Sequence, residues 1–284
     1  YAIDNRVSYF STIRLNNGIY NENLNIQDVN VRLASNFIFT SDSNDVNTTI
    51  LKGETSGYII TGGNANTSST GLLSIKGLTI EGGYNSFQIE DGIALFSSQS
   101  LLISNSVIKN CIEYNGLGLA LRTGDVENIL IENVDFINNH DEFNTDGVVF
   151  ISNSINVTIK NSNWRNNSSV TGSALRYDVQ FIEIDSCTFI NNISPFGGAI
   201  YSESNSIGSI ENSVFKNNSG ILSLQGYEDS EWAPYAYTYL IDKNTIINNE
   251  TPISFVNYYG PPNGGQQVPE ITVTNSLFWN NAID

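Results

Sequence analysis

A short phrase recurs along most of this chain: an apolar residue that stands two residues before an Asn-Asn pair. Two clear copies are Phe189-Ile-Asn-Asn192 and Phe215-Lys-Asn-Asn218, and related phrases follow one another at steps of 25 to 32 residues. Self-similarity at such a period is the sequence signature of a repeat architecture. The apolar residue of each phrase, which we call the anchor, falls at Ile80, Ile108, Phe136, Trp164, Phe189, Phe215, Ile246 and Phe278.

The repeated unit is built from strands. Apolar and polar residues alternate within it, as in Phe181-Ile-Glu-Ile-Asp185, and no window of about ten residues has the 3.6-residue period of a helix. A unit this small cannot bury its apolar side alone, so successive units must stack, at about 4.8 Å per step. The sequence therefore predicts an all-β fold, a parallel β-helix solenoid of about ten coils with about three short strands per coil. The Asn residues should form columns at the corners, where their amides bond to the next coil.

The repeated phrases resemble those of a known group of proteins. FINN, FKNN and Gly197-Gly-Ala-Ile200 resemble the FxxN and GGA[ILV] repeats of chlamydial polymorphic membrane proteins and related bacterial surface proteins, over roughly residues 80–281. Residues 13–26 and 47–53 are similar to the opening coils of pectate-lyase-like proteins. The resemblance implies a right-handed β-helix and an extracellular or cell-surface location, on a bacterial outer surface. It implies no single activity, because proteins of this fold include adhesins, lyases and hydrolases.

The repeats also predict the domain organisation. We expect a single β-helix domain over residues 1–284, with less regular opening coils over 1–70 and regular repeats over 80–281. Two units are longer than the rest, which predicts long loops over 226–239 and 257–269. The chain contains no methionine, and neither end has the sequence of a solenoid cap, so we expect a segment of a longer protein.

The charge and the cysteines limit the possible partners. The formal net charge of −17 disfavours nucleic acid and anionic membranes, and it disfavours polyanionic glycans unless a cation bridges them. No apolar run of about 18 residues is present, which predicts no membrane span. Cys111 and Cys187 would lie about three coils, roughly 14 Å, apart, which is too far for a disulfide. Both are predicted to be buried free thiols.

Candidate binding residues come from the two long loops and from one strand of the repeat. Aromatic rings beside polar groups are typical of a ligand site, and extra length in a solenoid often maps to its binding face. Alignment of the GGAI-type strands predicts an outward column of Phe96, Arg122, Phe150, Arg176, Tyr201 and Gln225, next to Asp178 and Glu203 in an exposed patch. The predicted ligand-binding residues are Arg176, Tyr201, Tyr227, Trp232, Tyr235, Tyr237, Tyr258 and Tyr259.

Three functions are consistent with these features. We favour a non-catalytic extracellular surface or adhesin module that binds a polysaccharide, a cell-surface glycan or another protein. The second is an enzyme, either a polysaccharide hydrolase with two carboxylates about 5 to 9.5 Å apart or a polysaccharide lyase. A lyase needs a basic residue near the sugar, and the chain is poor in Lys and Arg. The third is a structural subunit that assembles end to end through its coils. The catalytic candidates for an enzyme are Asp178, Glu203, Glu228, Asp229 and Glu231.

One segment of the opening coils could hold calcium. Residues 41–47 crowd carboxylate and amide oxygens together, so that Asp42, Asn44 and Asp45 are the candidate ligands. The segment lacks the glycine and the distal glutamate of an EF-hand loop, and an Asx-rich turn is the alternative. No other cofactor is predicted.

Overall fold

The computed structural model describes residues 11–26, 30–53, 57–63, 71–82, 90–96, 100–113, 120–141, 147–203, 206–225, 238–256 and 270–282. Nearly all of the regular structure there is strand, and almost every strand pairs in parallel with strands of the preceding and following repeats. In chain order the strands are β1 (Ser11–Arg14), β2 (Gly18–Asn21), β3 (Leu24–Ile26), β4 (Val31–Ala34), β5 (Thr49–Lys52), β6 (Gly57–Gly63), β7 (Leu72–Lys76), β8 (Thr79–Glu81), β9 (Glu90–Phe96), β10 (Ser100–Lys109), β11 (Ile112–Glu113), β12 (Leu121–Gly124), β13 (Asn128–Ile137), β14 (His140–Asp141), β15 (Val149–Lys160), β16 (Asn163–Arg165), β17 (Leu175–Asp185), β18 (Thr188–Ile190), β19 (Ile200–Ser202), β20 (Ile207–Glu211), β21 (Val214–Lys216), β22 (Gly220–Gln225), β23 (Thr238–Asp242), β24 (Thr245–Ile247), β25 (Thr251–Val256), β26 (Glu270–Thr274) and β27 (Leu277–Trp279).

These strands form three parallel sheets that run along the solenoid. Sheet 1 stacks residues 72–76, 100–104, 128–132, 156–160, 181–185, 207–211, 238–242 and 270–274. Sheet 2 stacks the anchors and their neighbours. Sheet 3 stacks the GGAI-type strands, residues 121–124, 149–152, 175–178 and 200–202 among them. The predicted fold class, an all-β parallel solenoid with about three strands per coil, is confirmed.

The number of coils differs somewhat from the prediction, which was about ten for the whole chain. Within the described residues, the eight anchors from Ile80 to Phe278 pair in sequence and make seven turns. The opening residues extend the same column less regularly, since Tyr20 pairs with Leu51 and Leu51 with Ile80. Two short helices interrupt these described opening coils, α1 (Phe37–Thr40) and α2 (Ser43–Thr48).

The core is a set of stacked columns inside the solenoid. The aromatic anchors Phe136, Trp164, Phe189 and Phe215 are all fully buried. Their rings lie nearly parallel, with centroids 5.0, 4.7 and 4.8 Å apart along the column. These distances match the spacing of paired strands, so each ring packs directly on the ring of the next coil. Cys111 and Cys187 are buried and form no disulfide, as predicted, and desolvation raises the pKa of Cys187 to about 12.

Asparagine makes the corners. Residues on both sides of sheet 2 have left-handed backbone conformations, with φ between 48° and 55°, which Asn tolerates better than other residues that carry a Cβ. The first Asn of each Asn-Asn pair is one of them, and its exposed amide bonds to the equivalent amide one coil away, as Asn191 does to Asn166 at 3.0 Å. The second Asn points inward and forms a buried ladder of Asn139, Asn167, Asn192, Asn218 and Asn249.

No helix in the described part of the chain is long and apolar enough to cross a membrane.

Candidate functional site

The predicted column of rings and arginines on sheet 3 is present in its central part. Arg122, Phe150, Arg176 and Tyr201 are paired neighbours on successive coils. The Arg176 guanidinium lies 5.1 Å from the centre of the Phe150 ring and 5.8 Å from that of Tyr201. Arg122 lies 5.9 Å from the same Phe150 ring. Alternating rings and guanidinium groups therefore stack along this face by cation–π contacts.

The ends of this column were predicted wrongly. The neighbour of Arg122 is Ala94, and Phe96 pairs with Gly124 instead. The neighbour of Tyr201 is Ser223, and Gln225 pairs with Val256. In both cases the alignment of similar motifs placed the residue two positions away from the true pairing.

The predicted exposed patch is largely buried. Tyr201 is 4% exposed and Glu203 is 8% exposed. Glu203 accepts a hydrogen bond and makes an ion pair with the Arg176 guanidinium, and both side chains are about nine-tenths shielded from solvent. The Gly172 backbone packs closely against Tyr201. A Cβ on Gly172 would come within 2.7 Å of the Tyr201 Cβ. Arg176 and Glu203 are thus engaged with each other rather than presented to a ligand.

Glu203→Gln is expected to destabilise the fold by about 1 to 2 kcal/mol, because the substitution keeps a hydrogen-bond acceptor but leaves the buried Arg176 charge without its counter-charge. Urea denaturation measures the loss. Glu183→Gln, which breaks an exposed ion pair at Lys160, is the matched control and should cost clearly less. Equal costs for the two variants would contradict the structural role of the Arg176–Glu203 pair.

Asp178 lies one coil before Glu203, as predicted, because Tyr177 pairs with Ser202 and its carbonyl accepts a hydrogen bond from the Glu203 backbone. The Asp178 side chain is half-buried. Glu228, Asp229 and Glu231 lie outside the described residues, as do Tyr227, Trp232, Tyr235, Tyr237, Tyr258 and Tyr259.

The segments that carry those residues branch from the same edge of the solenoid, as the sequence predicted. The described chain stops after Gln225 and Val256, which pair with each other. It resumes at Thr238 and Glu270, which also pair. The loop predicted over 226–239 is therefore too long at its end, since Thr238 and Tyr239 belong to β23. Tyr239 is buried because its ring fills the interior space beside Gly208, where a Cβ would come within 2.4 Å of the Tyr239 Cε1.

The calcium candidates have structural partners. The Asp42 carboxylate caps α2 by accepting a hydrogen bond from the Asn44 backbone at 2.8 Å. Asp45 accepts a hydrogen bond from the Thr40 hydroxyl at 2.5 Å. The segment is thus a capped helix that begins with the Asx-turn hydrogen bond of Asp42, which agrees with the Asx-rich alternative. Among the described residues, no group of three or more His, Cys, Asp or Glu side chains is arranged to hold a metal ion.

The only histidine is half-buried at a corner between sheets 2 and 3. His140 Nδ1 contacts the Ser168 hydroxyl of the next coil, which places a base beside a potential nucleophile. The adjacent carboxylate does not complete a triad, because Asp141 points to the opposite side of the strand and accepts a hydrogen bond from the Ser169 hydroxyl at 3.4 Å.

An open groove lies on the outer face of sheet 1, where the sequence analysis placed no site. Its floor is the backbone at Val157, Ile182 and Gly208, whose neighbours on either side point outward. The groove has a volume of about 380 Å³. One wall carries Asn156 and two exposed apolar side chains, Phe181 at 47% and Ile207 at 45%. The other wall is polar and consists of Thr158, Glu183 and Ser209.

A sequence signal for this groove exists. In Phe181-Ile-Glu-Ile-Asp185 the two isoleucines point inward, so the alternation places Phe181 outward with Glu183 and Asp185. An exposed aromatic ring at an outward position of a strand is a candidate contact for a ligand. The groove therefore joins an exposed ring, hydroxyl groups, an amide and a carboxylate on one rigid sheet, which is the composition of a shallow ligand site.

Comparison with known proteins agrees with the architecture. Residues 61–231, more than half of the chain, match the family described as right-handed beta helix region. Curated protein sequences give no match. Among solved structures, the chain is similar to the PL6 family alginate lyase AlyGC, with a TM-score of 0.58 and 12% sequence identity. The similarity covers 97% of this chain and 38% of that protein, and at this identity it concerns the fold alone. The parallel solenoid and the family match together place this chain in the right-handed β-helix family.

Proposed function

We propose that this chain is a non-catalytic glycan-binding β-helix module of an extracellular surface, and that its glycan lies along the groove of sheet 1. The observation that carries the proposal is the Phe181 ring, 47% exposed beside a polar wall. A ring so placed can stack on the apolar face of a sugar, while the polar wall bonds to hydroxyl groups. The groove follows the solenoid axis, so an extended polysaccharide chain would cross several coils.

The geometry of the predicted catalytic residues supports the non-catalytic part of this proposal. A hydrolase needs one carboxylic acid to donate a proton and one carboxylate to act as base or nucleophile. Glu203 is buried and paired with Arg176, so its carboxylate is already engaged by a positive charge and is shielded from a substrate. The Asp178 and Glu203 pair is therefore poorly suited to hydrolysis.

Phe181→Ala is expected to weaken binding of the retained polysaccharide about tenfold, because it removes the ring from the groove without disturbing the core. Affinity electrophoresis with a panel of neutral and acidic polysaccharides measures the change. Phe196→Ala is the matched control, since Phe196 is also exposed, at 69%, but lies on the connection between sheets 2 and 3. Equal retention of both variants would contradict the proposed site, and no retention of any polysaccharide by the wild-type protein would contradict the function.

Polysaccharide lyase activity is the second candidate, and the similarity to an alginate lyase structure is the observation that favours it. In such a β-elimination, a base takes the proton next to the uronate carboxylate, the glycosidic oxygen leaves, and a carbon–carbon double bond forms. Ultraviolet absorbance of that double bond, followed during incubation with uronate polysaccharides with and without calcium, detects the reaction. A rise that disappears in Asp178→Asn or Glu203→Gln would replace the binding function by catalysis at those residues.

A further inference from the structure

We infer that the groove of sheet 1 selects a neutral glycan and rejects chains that carry carboxylate groups. This inference rests on the proposed function, and it concerns the chemical class of the glycan at the same site. Under this inference the chain differs in its glycan from the alginate lyase of similar fold, because alginate is a polyuronate and carries a carboxylate on each sugar.

The electrostatics of the groove are the first argument. The outward positions of sheet 1 over residues 128–132, 156–160, 181–185, 207–211 and 238–242 are all described. Within these positions five carboxylates stand against one ammonium group, and Lys243, directly after the last position, adds a second one that pairs with Asp242. The carboxylates are Glu132, Glu183, Asp185, Glu211 and Asp242, and the ammonium group within the positions is Lys160.

Both ammonium groups are already engaged. The Lys243 Nζ lies 3.0 Å from an Asp242 carboxylate oxygen, and the Lys160 Nζ lies 3.0 Å from a Glu183 carboxylate oxygen. The hydrogen bond and the charge of Glu183, with smaller contributions from Asp185 and Glu132, raise the pKa of Lys160. Lys160 thus balances its acidic neighbours and offers no surplus positive charge to a uronate.

Hydrogen bonds hold two of the carboxylates in place. Asp185 accepts one from the Asn212 amide at 2.7 Å. Hydrogen bonds from Thr274, Asn275 and Lys243 lower the pKa of Asp242 to about 2. A chain with one carboxylate per sugar would therefore meet fixed like charges along the groove, within the roughly 8 to 10 Å over which charges act at physiological salt.

Neutral sugars fit the same positions without that repulsion. Asn156 is exposed and can donate and accept hydrogen bonds, and Thr158 and Ser209 add two hydroxyl groups. Glu183 is an acceptor for sugar hydroxyls. Phe181 supplies the apolar contact on the opposite wall.

The test compares each neutral polysaccharide of the panel with the same polymer after oxidation of its primary hydroxyl groups to carboxylates. The backbone is unchanged, so only the charge differs. We expect the oxidised form to bind the wild-type protein at least tenfold more weakly at low salt, with a smaller difference at high salt. Equal or tighter binding of the oxidised form, with or without calcium, would overturn the inference while leaving glycan binding intact. Retention of neither form would overturn the proposed function itself.

A charge variant makes the test specific to the groove. Glu183→Gln combined with Glu211→Gln removes two carboxylates and releases Lys160, and it should improve binding of the oxidised polymer at least fivefold. The matched control, Glu22→Gln combined with Glu250→Gln, removes two exposed carboxylates elsewhere and should change nothing. The same response in both double variants would show that net charge and not the groove sets the preference, and it would contradict the inference.

Discussion

Asn192→Ala is expected to lower the free energy of unfolding by about 3 to 5 kcal/mol, because it opens the buried amide ladder in the middle of the solenoid. The Asn192 Oδ1 accepts hydrogen bonds from the backbone and the side-chain amide of Asn167, at 3.2 and 2.9 Å. The Asn192 Nδ2 donates to the Trp164 carbonyl at 3.1 Å and to Asn218 Oδ1 at 3.0 Å. Alanine would leave these groups buried without the partner that Asn192 supplies.

The neighbouring asparagine provides the control for this prediction. Asn191 has the left-handed backbone and belongs to the exposed ladder, so Asn191→Gly keeps the backbone conformation and loses only solvent-exposed hydrogen bonds. Its cost should stay within about 1 kcal/mol. Urea denaturation of both variants gives the comparison, and a cost for Asn192→Ala no larger than that of Asn191→Gly would show that the inner ladder does not stabilise the fold.

Trp164→Ala is expected to cost about 3 to 5 kcal/mol, because it removes the largest ring of the anchor column and leaves a cavity. The ring is fully buried and stacked between Phe136 and Phe189, at 5.0 and 4.7 Å. Its neighbours are held by strand pairing on both sides, so the coils cannot close around the missing volume. Thermal or urea denaturation measures the loss.

Trp164→Phe tests the contribution of the stacked ring to stability separately from that of the indole nitrogen. Within the described residues, Trp164 Nε1 is buried and has no hydrogen-bond partner. Phenylalanine restores the stack and removes that unsatisfied donor, so we expect a cost of about 1 kcal/mol or less. A loss as large as that of Trp164→Ala would mean that the full volume of the indole, and not the stacking of a ring, makes this position important.

The stacked core was predictable because each anchor pairs with the anchor of the next repeat, so the positions of the anchors in the sequence give the strand pairing. Every predicted anchor pair from Ile80 to Phe278 is a pair in sheet 2, and the inner and outer Asn residues lie at the corners where they were expected. The column on sheet 3 was less predictable. Phe96 was misplaced because similar motifs, rather than the constant 28-residue step between anchors, were aligned. Gln225 was misplaced because the connection before β22 is short, which only the structure reveals.

Exposure was not predictable from the alternation of residues. The pattern places Tyr201 and Phe181 outward on their strands in the same way, yet Tyr201 is 4% exposed and Phe181 is 47% exposed. The difference in exposure depends on which other segments pack against the outer face of each strand. The sequence of the strand itself does not show which segments these are. For this reason the predicted patch at Arg176 proved largely buried, whereas Phe181, which the alternation also places outward, remained exposed.

The most direct test of a glycan site on sheet 1 is hydroxyl-radical footprinting of the wild-type protein, with and without a neutral polysaccharide that it retains. Phe181 and Phe196 are both exposed aromatic side chains, at 47% and 69%, so mass spectrometry can follow the oxidation of each in one sample. We expect the polysaccharide to protect Phe181 and to leave Phe196 unchanged. Protection of Phe196 alone, or of neither ring while the polysaccharide is bound, would contradict a binding site in this groove.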